Sequence, residues 1–380
     1  METTRAAQAY SAVEALYMAM ELSNGKWLLL FGATGTGKCR QVQLASGDRV
    51  GVQGQIVLAK AKLGLPPEAP VFSCYEAGRD GFWIHRWLLS LGVHNRVVDS
   101  ASIEVTQRAK RVKTDAVDVH KLLKLLTRAC QGERDVWHEL RVPSPQDEDH
   151  RRVHRERERL MKERIALGNR ISSLLITQGL RLQLKGDFQA QLAQLRCWDG
   201  QALAPQLTRE IGRMWQRREL LGLQLRTLEQ QRQRELADTA NERSAPMRLL
   251  MRLRALGVHM PWVLCSEIFG WREIANRRQL GALAGLTPTP YCSGDSQREQ
   301  GISGAGNRRV RTAMVELSWL WLRWQPASAL SQWYQSRFGS TGSKRSRRIG
   351  IVALARKLLV ALWRYLHDGV IPAGAAFKKA

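Results

Sequence analysis

The sequence predicts an α/β domain at the N-terminus, a long helical connector and a mainly α-helical C-terminal domain. Residues 13–145 alternate short apolar runs with turn signals, which is typical of strands and helices in alternation. Residues 146–245 are rich in Arg, Glu and Gln, and short helical patterns follow from Pro246 onward. With 380 residues and 44% hydrophobic content, the chain is long enough to bury two separate cores.

The N-terminal domain, residues 13–145, is predicted to contain a mixed five-stranded sheet. Three apolar runs separated by turns, ALYMAMEL, KWLLLFG and RQVQLAS, predict three consecutive antiparallel strands. A helix in GQIVLAKAKLGL, a strand in PVFSCYEAG, a helix in GFWIHRWLLSLG and a strand in HNRVVDS follow in alternation.

The run GATGTGKC, residues 32–39, approaches the phosphate-binding loop of ATPases. Cys39 stands where that loop needs a hydroxyl for magnesium, and the following RQVQLAS alternates like a strand instead of opening a helix. We therefore interpret this run as a hairpin turn, and an ATPase is only a distant alternative.

The connector, residues 146–245, is predicted to form two long amphipathic helices, because Leu, Ile and Met recur at three- and four-residue spacing. A helical hairpin and a coiled coil are both compatible with this pattern, and charged residues would occupy the solvated face. The simplest role is a dimerisation arm with a basic outer face, so we expect a homo-oligomer, either a dimer or a tetramer.

The C-terminal domain, residues 246–340, begins with two predicted helices around LGVHMP that resemble a helix-hairpin-helix, which places backbone amides near a phosphate. Residues 341–380 are predicted to form a basic loop, GSTGSKRSRRIG, and then an amphipathic helix that belongs to the core.

The charge of the chain predicts a polyanionic partner. There are 59 Lys and Arg against 34 Asp and Glu, a formal net charge of +25. No stretch approaches the roughly 18 apolar residues of a spanning helix, and the first residues lack a signal-peptide pattern, so we expect a cytoplasmic protein without a membrane partner. The six cysteines are scattered singly, which indicates buried thiols and not a zinc site.

Four acidic residues form the candidate metal site. Glu21 ends the first predicted strand and Glu76 ends the fourth, while Asp115 and Asp118 share one face of a predicted helix. Hard carboxylate oxygens are the ligands that a pair of magnesium ions needs for phosphodiester chemistry. The alternative is that Glu21 is a surface carboxylate and that the two aspartates merely favour a helix N-terminus.

The chain resembles the insertion-sequence-110 family of transposases, particularly the 1111 group. The run SCYEAGRDGFWIHRWLLSLGVHNRVVDSASIEV and the later KTDAVDVHKLL look like its RuvC-like domain, which has the RNase H fold and a DEDD set of acids. The run LGALAGLTPTPYCSGDSQREQGISGAGNRRVRTAMVELSWLWLRW is similar to its second, transposase domain. With the helical connector, the resemblance covers nearly the whole chain.

The resemblance implies that Glu21, Glu76, Asp115 and Asp118 bind Mg²⁺, in a site of the two-metal type. It also implies that Ser293 of PYCSGDS is the nucleophile that joins covalently to DNA, with Ser303 as the main rival and Ser296 as a weaker one. The metal site, in the same or another subunit, would lie near the serine. The family usually has Asp at the first acidic position, where this chain has Glu21.

Further nucleic-acid contacts are implied by charge and by family position: Arg79, Lys113, Arg308, Arg309 and Arg311. Arg79 and Lys113 could instead balance the neighbouring carboxylates. The family also implies that a structured RNA encoded by the element guides the choice of target.

The predicted function is that of a DNA transposase or recombinase of a bacterial insertion sequence, which cuts and rejoins strands through a phosphoserine intermediate. Two other functions remain open at this point. One is a RuvC-like nuclease or resolvase that cuts by metal-activated water, and the other is an inactive nucleic-acid-binding relative, to which Glu21 lends weight.

Overall fold

The computed structural model describes residues 14–35, 37–103, 115–293, 296–339 and 343–378. For residues 101, 115–116, 290–293 and 296–300 it describes the backbone alone. The chain divides into two compact units, one that reaches Val142 and one that begins at Pro143. The helical connector and everything after it belong to the second unit, and the finer predicted divisions at residues 245 and 340 stay predictions.

The first unit is built around a five-stranded sheet. Its strands are β1 (Leu16–Leu22), β2 (Lys26–Ala33), β3 (Cys39–Ala45), β4 (Val71–Glu76) and β5 (His94–Val98). They lie in the order β3-β2-β1-β4-β5, and β2 runs antiparallel to both of its neighbours while β1, β4 and β5 run parallel. The predicted mixed five-stranded sheet is therefore confirmed.

Helices cover both faces of this sheet. Helices α1 (Arg49–Lys62) and α2 (Trp83–Ser90) contribute Val52, Ile56 and Ile84 to the core on one face. Helix α3 (Asp115–Cys130) packs on the other face through Val119, Leu122 and their apolar neighbours. Successive strand residues point to opposite faces, so β1 and β4, which are mainly apolar before their terminal glutamates, are buried on both sides.

The glycine-rich run at residues 32–39 connects two antiparallel strands, as the sequence predicts. Gly32 is paired with Cys39 across the β2–β3 hairpin, so the strand that follows the run leaves no helix N-terminus to hold phosphates. Helix α1 begins five residues before the predicted GQIVLAKAKLGL segment, because the Asp48 side chain accepts a hydrogen bond from the Gly51 N–H at 2.7 Å and caps the helix there.

The connector folds as an antiparallel helical hairpin. Helix α4 (Pro145–Ile176) starts with a capping box between Ser144 and Asp147. The short helix α5 (Phe188–Leu192) follows, and α6 (Pro205–Ala237) returns along α4. We call this hairpin the arm; its root is the start of α4 with the end of α6, and its tip is the opposite end. Salt bridges join Arg157 to Glu229 in the half nearer the root and Arg170 to Glu210 in the half nearer the tip. Both long helices of the prediction are confirmed, and the hairpin forms within one chain.

The rest of the second unit consists of short helices, a two-stranded hairpin and two longer helices. In chain order these are α7 (Ala245–Met251), α8 (His259–Leu264), α9 (Arg277–Leu283), β6 (Pro288–Ser293), β7 (Ser296–Ile302), α10 (Arg308–Trp324), α11 (Ala329–Tyr334) and α12 (Lys344–His367). A core centred on Trp262, Trp321 and Leu358 holds α8, α10 and α12 together.

Two segments of this unit differ in detail from the prediction. Ser343 caps α12 by accepting from the Ser346 N–H, so the basic run at Lys344–Arg348 forms the first turns of the helix and not a loop. The two helices around LGVHMP are present, but α8 contributes Trp262 and Leu264 to the core. The phosphate-binding role of that segment stays a prediction.

Among the helices that the structure describes, none combines the length and the apolar character needed to cross a membrane. The cysteine side chains that it describes are unpaired thiols. Cys74, Cys130 and Cys265 are buried as predicted, whereas Cys39 is exposed at the start of the edge strand β3.

At Gly32, α3 approaches the sheet closely, and a bulkier residue should destabilise the first unit. A Cβ at Gly32 would lie 3.2 Å from Leu123 Cδ2, closer than side-chain carbons normally pack. We expect Gly32→Val to lower the free energy of unfolding by about 1–3 kcal/mol. Urea denaturation followed by fluorescence measures this. Gly25→Ala, in a turn with open space around it, should lose much less; equal losses would contradict the close approach.

Candidate functional site

The sheet brings Glu21 and Glu76 to the same edge. Strands β1 and β4 are parallel neighbours, paired in register from Leu16 with Val71 to Met20 with Tyr75, and each glutamate follows directly after this last pair. Alternation along the strands places both glutamates on the face of Ala19 and Cys74, the face that α3 covers. The two carboxylates therefore share one edge and one face of the sheet.

The aspartate pair lies on the helix that covers this face. Asp115 is the first residue of α3, and Asp118 lies one turn later and is partly exposed. The side chain of Asp115 lies outside the described residues. In the described ranges, no three His, Cys, Asp or Glu side chains lie close enough together to hold a metal ion. The described part of the site is thus the glutamate pair with the helix that carries the aspartates.

Of the two cations predicted beside these acids, Arg79 lies exposed in the turn after β4. Lys113 lies outside the described residues. Their roles as nucleic-acid contacts stay predictions.

The serine candidates occupy the two ends of the β6–β7 hairpin. Ser293 ends β6 and is paired with Ser296 at the start of β7, on either side of the turn. Ser303 follows β7 at the base of the hairpin, where its side chain is exposed and its N–H donates to the Thr287 carbonyl at 2.8 Å. Ser303 lies seven residues beyond Ser296, the partner of Ser293, so strand geometry separates the two candidates by roughly 20 Å. They therefore cannot occupy the same catalytic position.

The segment after Ser303 is held by a close crossing of two backbones. A Cβ on Gly285 would lie 2.1 Å from the Ala305 carbonyl oxygen, and a Cβ on Gly306 would lie 2.6 Å from two carbonyl oxygens, so both positions require glycine. The Asn307 N–H also donates to the Leu283 carbonyl at 2.7 Å. This crossing fixes the path of the chain from the hairpin into α10.

The three arginines at the start of α10 have different surroundings. Arg308 is exposed. Arg309 donates its Nε to Glu158 on α4 at 2.6 Å. Arg311 donates Nη1 to the Gly304 carbonyl at 2.8 Å, which ties it to the backbone crossing. Arg308 is therefore presented to solvent, while Arg309 and Arg311 also have structural partners.

A buried carboxylate that the sequence analysis did not single out, Glu267, lies behind this segment. It belongs to a π-helical turn, Cys265–Phe269, that continues α8, and it is 1% exposed. His154 Nε2 donates to it at 2.8 Å, Arg155 donates through Nε at 2.8 Å and Nη2 at 2.9 Å, and Asn307 Nδ2 donates at 2.7 Å. We call Glu267, His154, Arg155 and Asn307 the Glu267 cluster.

Asn307 connects the Glu267 cluster to the segment that carries Ser303. Its Oδ1 accepts from the backbone N–H groups of Arg309 and Val310 and so caps α10, while its amide nitrogen donates to Glu267. A single side chain therefore links the buried carboxylate to the first turn of α10. The root of the arm, through His154 and Arg155 on α4, is fixed to the same point.

The protonation states of the cluster follow from burial and hydrogen bonding. Burial alone would raise the pKa of Glu267, but the hydrogen bonds and charges of His154 and Arg155 outweigh it and hold the pKa well below its ordinary value. Burial lowers the pKa of His154 by more than Glu267 raises it. The imidazole is therefore neutral at pH 7 and donates through Nε2 to an ionised carboxylate.

Comparison with known proteins gives one family match and several similar chains. Residues 247–335 match the family model described as "Transposase IS116/IS110/IS902 family". The protein y4rJ of Sinorhizobium fredii, which is named as a transposase, is 40% identical over 377 residues, 96% of this chain and 95% of that protein. A second protein of that organism, y4qE, is also named as a transposase. It is 28% identical over 261 residues, 66% of this chain and 58% of that protein.

A similar chain from another organism is the transposase for insertion sequence element IS1328 of Yersinia enterocolitica. It is 23% identical over 234 residues, 60% of this chain and 66% of that protein.

Glu267→Gln should destabilise the second unit, because it leaves Arg155 without its carboxylate partner and His154 beside a competing amide donor. We expect a loss of about 3 kcal/mol in the free energy of unfolding, the usual size for breaking a buried ion pair. Chemical denaturation of Glu267→Gln beside Glu163→Gln, an exposed carboxylate on α4, measures this. Similar stabilities for the two variants would show that the Glu267 cluster does not hold the unit together.

The second unit should lose stability as the pH falls below about 6.5. Burial, and then the positive charges of Arg157 and Arg232, lower the pKa of His259 to about 4. Between pH 6.5 and 4, His259 therefore binds a proton more readily in the unfolded chain than in the folded one. The stability that the neutral imidazole allows is fully lost below pH 4. From pH 7 to pH 5 this amounts to about 2 kcal/mol.

Urea denaturation of wild type and His259→Gln at pH 7 and pH 5 tests this expectation. The free energy of unfolding should differ less between pH 7 and pH 5 in His259→Gln than in wild type. His367→Gln, which removes an exposed imidazole, should keep the wild-type difference. Identical pH dependence in wild type and His259→Gln would contradict it.

Proposed function

Because the chain belongs to the IS116/IS110/IS902 family of transposases, we propose that it cuts and rejoins DNA through a serine nucleophile assisted by a magnesium-binding acidic site. Membership rests on the 40% identity to y4rJ over nearly the full length of both chains. The chain is thus a transposase of an insertion sequence, and its substrate is DNA. The chemistry of strand transfer is the part that we propose.

The observation that carries this proposal is the convergence of Glu21 and Glu76. Two ionisable side chains end neighbouring parallel strands on one face, beside the helix of Asp115 and Asp118, in a chain whose net charge is +25. Carboxylates that share one edge and one face of a sheet can offer several oxygen ligands to the same cation. The strand order β3-β2-β1-β4-β5 with β2 antiparallel supports a RuvC-like fold for this unit.

The residues at this edge fit a magnesium site by their chemistry. Glu21, Glu76, Asp115 and Asp118 offer the hard oxygen donors that Mg²⁺ prefers, and they would hold it. When bound, the metal would supply Lewis-acid activation of a phosphodiester. Glu21 has one methylene more than the Asp usual at this position and can still reach such an ion from the end of β1.

Ser293 is the proposed nucleophile. Its pairing with Ser296 places it at the far end of the β6–β7 hairpin, whereas Ser303 lies at the base, where its N–H donates to the Thr287 carbonyl. In the cleavage step the serine Oγ forms a bond to phosphorus, the bond from phosphorus to one deoxyribose oxygen breaks, and the serine proton passes to that leaving oxygen. Rejoining reverses these changes and frees the serine.

Arg308 is the proposed phosphate contact in the second unit, because its guanidinium is exposed at the first turn of α10. Arg309 and Arg311 could add to it on DNA binding, once a phosphate competes with Glu158 for Arg309. The proposed guide RNA and the proposed homo-oligomer rest on the family resemblance, and the net charge of +25 supports a second nucleic acid.

A metal-dependent nuclease that acts without a covalent intermediate is the second candidate. One fact favours it: the acidic edge and the serines belong to different compact units, so each could act without the other. In that case the acids would suffice for hydrolysis, and the serine would be dispensable.

Covalent capture of DNA distinguishes these two functions. We incubate the protein with DNA of the element's joined ends, RNA from its flanking noncoding region and Mg²⁺, and look for protein–DNA adducts on a denaturing gel. Ser293→Ala should abolish the adduct, and Glu76→Gln should reduce adduct formation by at least 100-fold, as expected for loss of a metal ligand. Ser336→Ala and Glu68→Gln, exposed residues elsewhere in the same units, should form it normally.

Each other outcome has a defined meaning. Loss of the adduct in Ser303→Ala but not in Ser293→Ala would move the nucleophile to the base of the hairpin. Cleavage by Ser293→Ala and Ser303→Ala without any adduct would establish the hydrolytic nuclease. Full activity in EDTA would refute the metal site.

A further inference from the structure

The helical arm contains a basic cavity that has no part in the proposed chemistry. The cavity lies between α4, α6 and the segment that follows α4, and its volume is about 300 Å³. Four cationic residues line it, with one carboxylate among them: Arg164, Lys185, Arg218 and Arg226, together with Glu219. Trp215 also lines this space. We call the space bounded by these six residues the arm cavity.

Two glycines create the space for its guanidinium groups. A Cβ on Gly168 of α4 would lie 3.4 Å from Arg218 Nε, and a Cβ on Gly222 of α6 would lie 3.5 Å from Arg164 Nε. Each arginine therefore extends over a glycine on the facing helix. The glycines let both guanidinium groups enter the interface between α4 and α6.

Among the described residues, no salt bridge is found for Arg164 or Arg218, in contrast to two other arginines of α4. Arg157 and Arg170 each form a salt bridge to a glutamate on α6. Within the described part of the chain, the buried Nε atoms of Arg164 and Arg218 have no hydrogen-bond partner. Unsatisfied buried donors of charged groups are costly, so both N–H groups favour an acceptor at this place.

The electrostatics of the arm cavity point to an anion. Burial, and then the positive charge of Arg164, lower the pKa of Arg218 by more than the charge of Glu219 raises it. The two like charges therefore lie close enough to repel each other. An anion between them would remove this repulsion and accept from both Nε donors.

Trp215 gives the arm cavity a fixed aromatic wall. The Arg218 guanidinium carbon lies 5.0 Å from the centre of the Trp215 ring, and that ring packs against Phe188 with centroids 4.7 Å apart. Trp215 is 3% exposed, and its Nε1 has no hydrogen-bond partner in the described residues. The ring holds the Arg218 guanidinium in place and adds a third unsatisfied N–H donor near the cavity.

We propose that the arm cavity binds a backbone phosphate of a nucleic acid. Phosphodiester oxygens match the planar donor sets of two arginines, and nucleic acid is the polyanion with which a transposase works. This inference assigns a nucleic-acid contact to the helical arm, for which the sequence pattern predicts dimerisation. It rests on the family's action on DNA but not on the proposed serine and metal chemistry.

Salt dependence of binding by the full-length protein tests this proposal. Binding to a DNA duplex of the element's end, and separately to RNA from its flanking region, is measured in EDTA so that cleavage plays no part. Arg218→Gln should weaken binding to at least one of the two by roughly tenfold at physiological salt. The slope of log Kd against log salt should fall by about one, as for loss of one phosphate contact.

Matched variants separate this effect from general charge and from folding. Arg209→Gln removes the same charge from an exposed position on α6 and should change Kd by no more than about twofold. Arg218→Lys keeps the charge without the planar donors, so it should restore the slope and only part of the affinity. Circular dichroism confirms that each variant retains the helical arm.

The outcomes identify the source of the phosphate or overturn the proposal. A changed slope with DNA alone identifies DNA as the ligand, and a changed slope with RNA alone identifies RNA. Unchanged slopes with both nucleic acids would overturn the proposal. A change in oligomeric mass by light scattering, with unchanged slopes, would also overturn it, because the cavity would then hold a carboxylate of a second copy.

Discussion

The ionised carboxylate of Glu267 is buried where the arm, the π-helical turn after α8 and the start of α10 meet. Four hydrogen bonds from His154, Arg155 and Asn307 offset the cost of burying its charge. Because Asn307 is also the cap of α10, the position of the helix depends on the same carboxylate. The root of the arm and the segment that follows the serine-bearing hairpin are thus fixed relative to each other within the second unit.

The acidic edge of the first unit depends on a different constraint, the parallel pairing of β1 and β4. Parallel neighbours end at the same edge, and their shared register turns Glu21 and Glu76 to the face that α3 covers. Each unit thus supports its candidate functional residues on regular elements, a sheet edge in one and a hairpin with an anchored base in the other. Such scaffolds hold side chains more precisely than free loops do.

Much of this arrangement was predictable, for physical reasons that differ between elements. The apolar runs of β1, β2 and β4 identified the sheet because buried strands need side chains that are apolar on both faces. The long helices of the arm followed from the regular spacing of Leu, Ile and Met. The Glu267 cluster was not predictable, because Glu267 lies more than 100 residues from His154 and Arg155 and 40 residues from Asn307, and each alone resembles an ordinary polar residue. The one local signal was Asn307 before a helical run, which is typical of a helix cap.

The sequence alone determined the family, the order of strands and helices along the chain, and the residue types that could bind a metal or attack a phosphate. These properties are local or are carried by motifs, so neighbouring residues suffice to reveal them. The tertiary structure decided which of these residues meet: Glu21 with Glu76 at one edge, Glu267 with Asn307 behind α10, and Arg164 with Arg218 in the arm cavity. The physical reason is that such meetings depend on strand register and on the close packing of helices, which arise only when distant segments bury their apolar surfaces against each other.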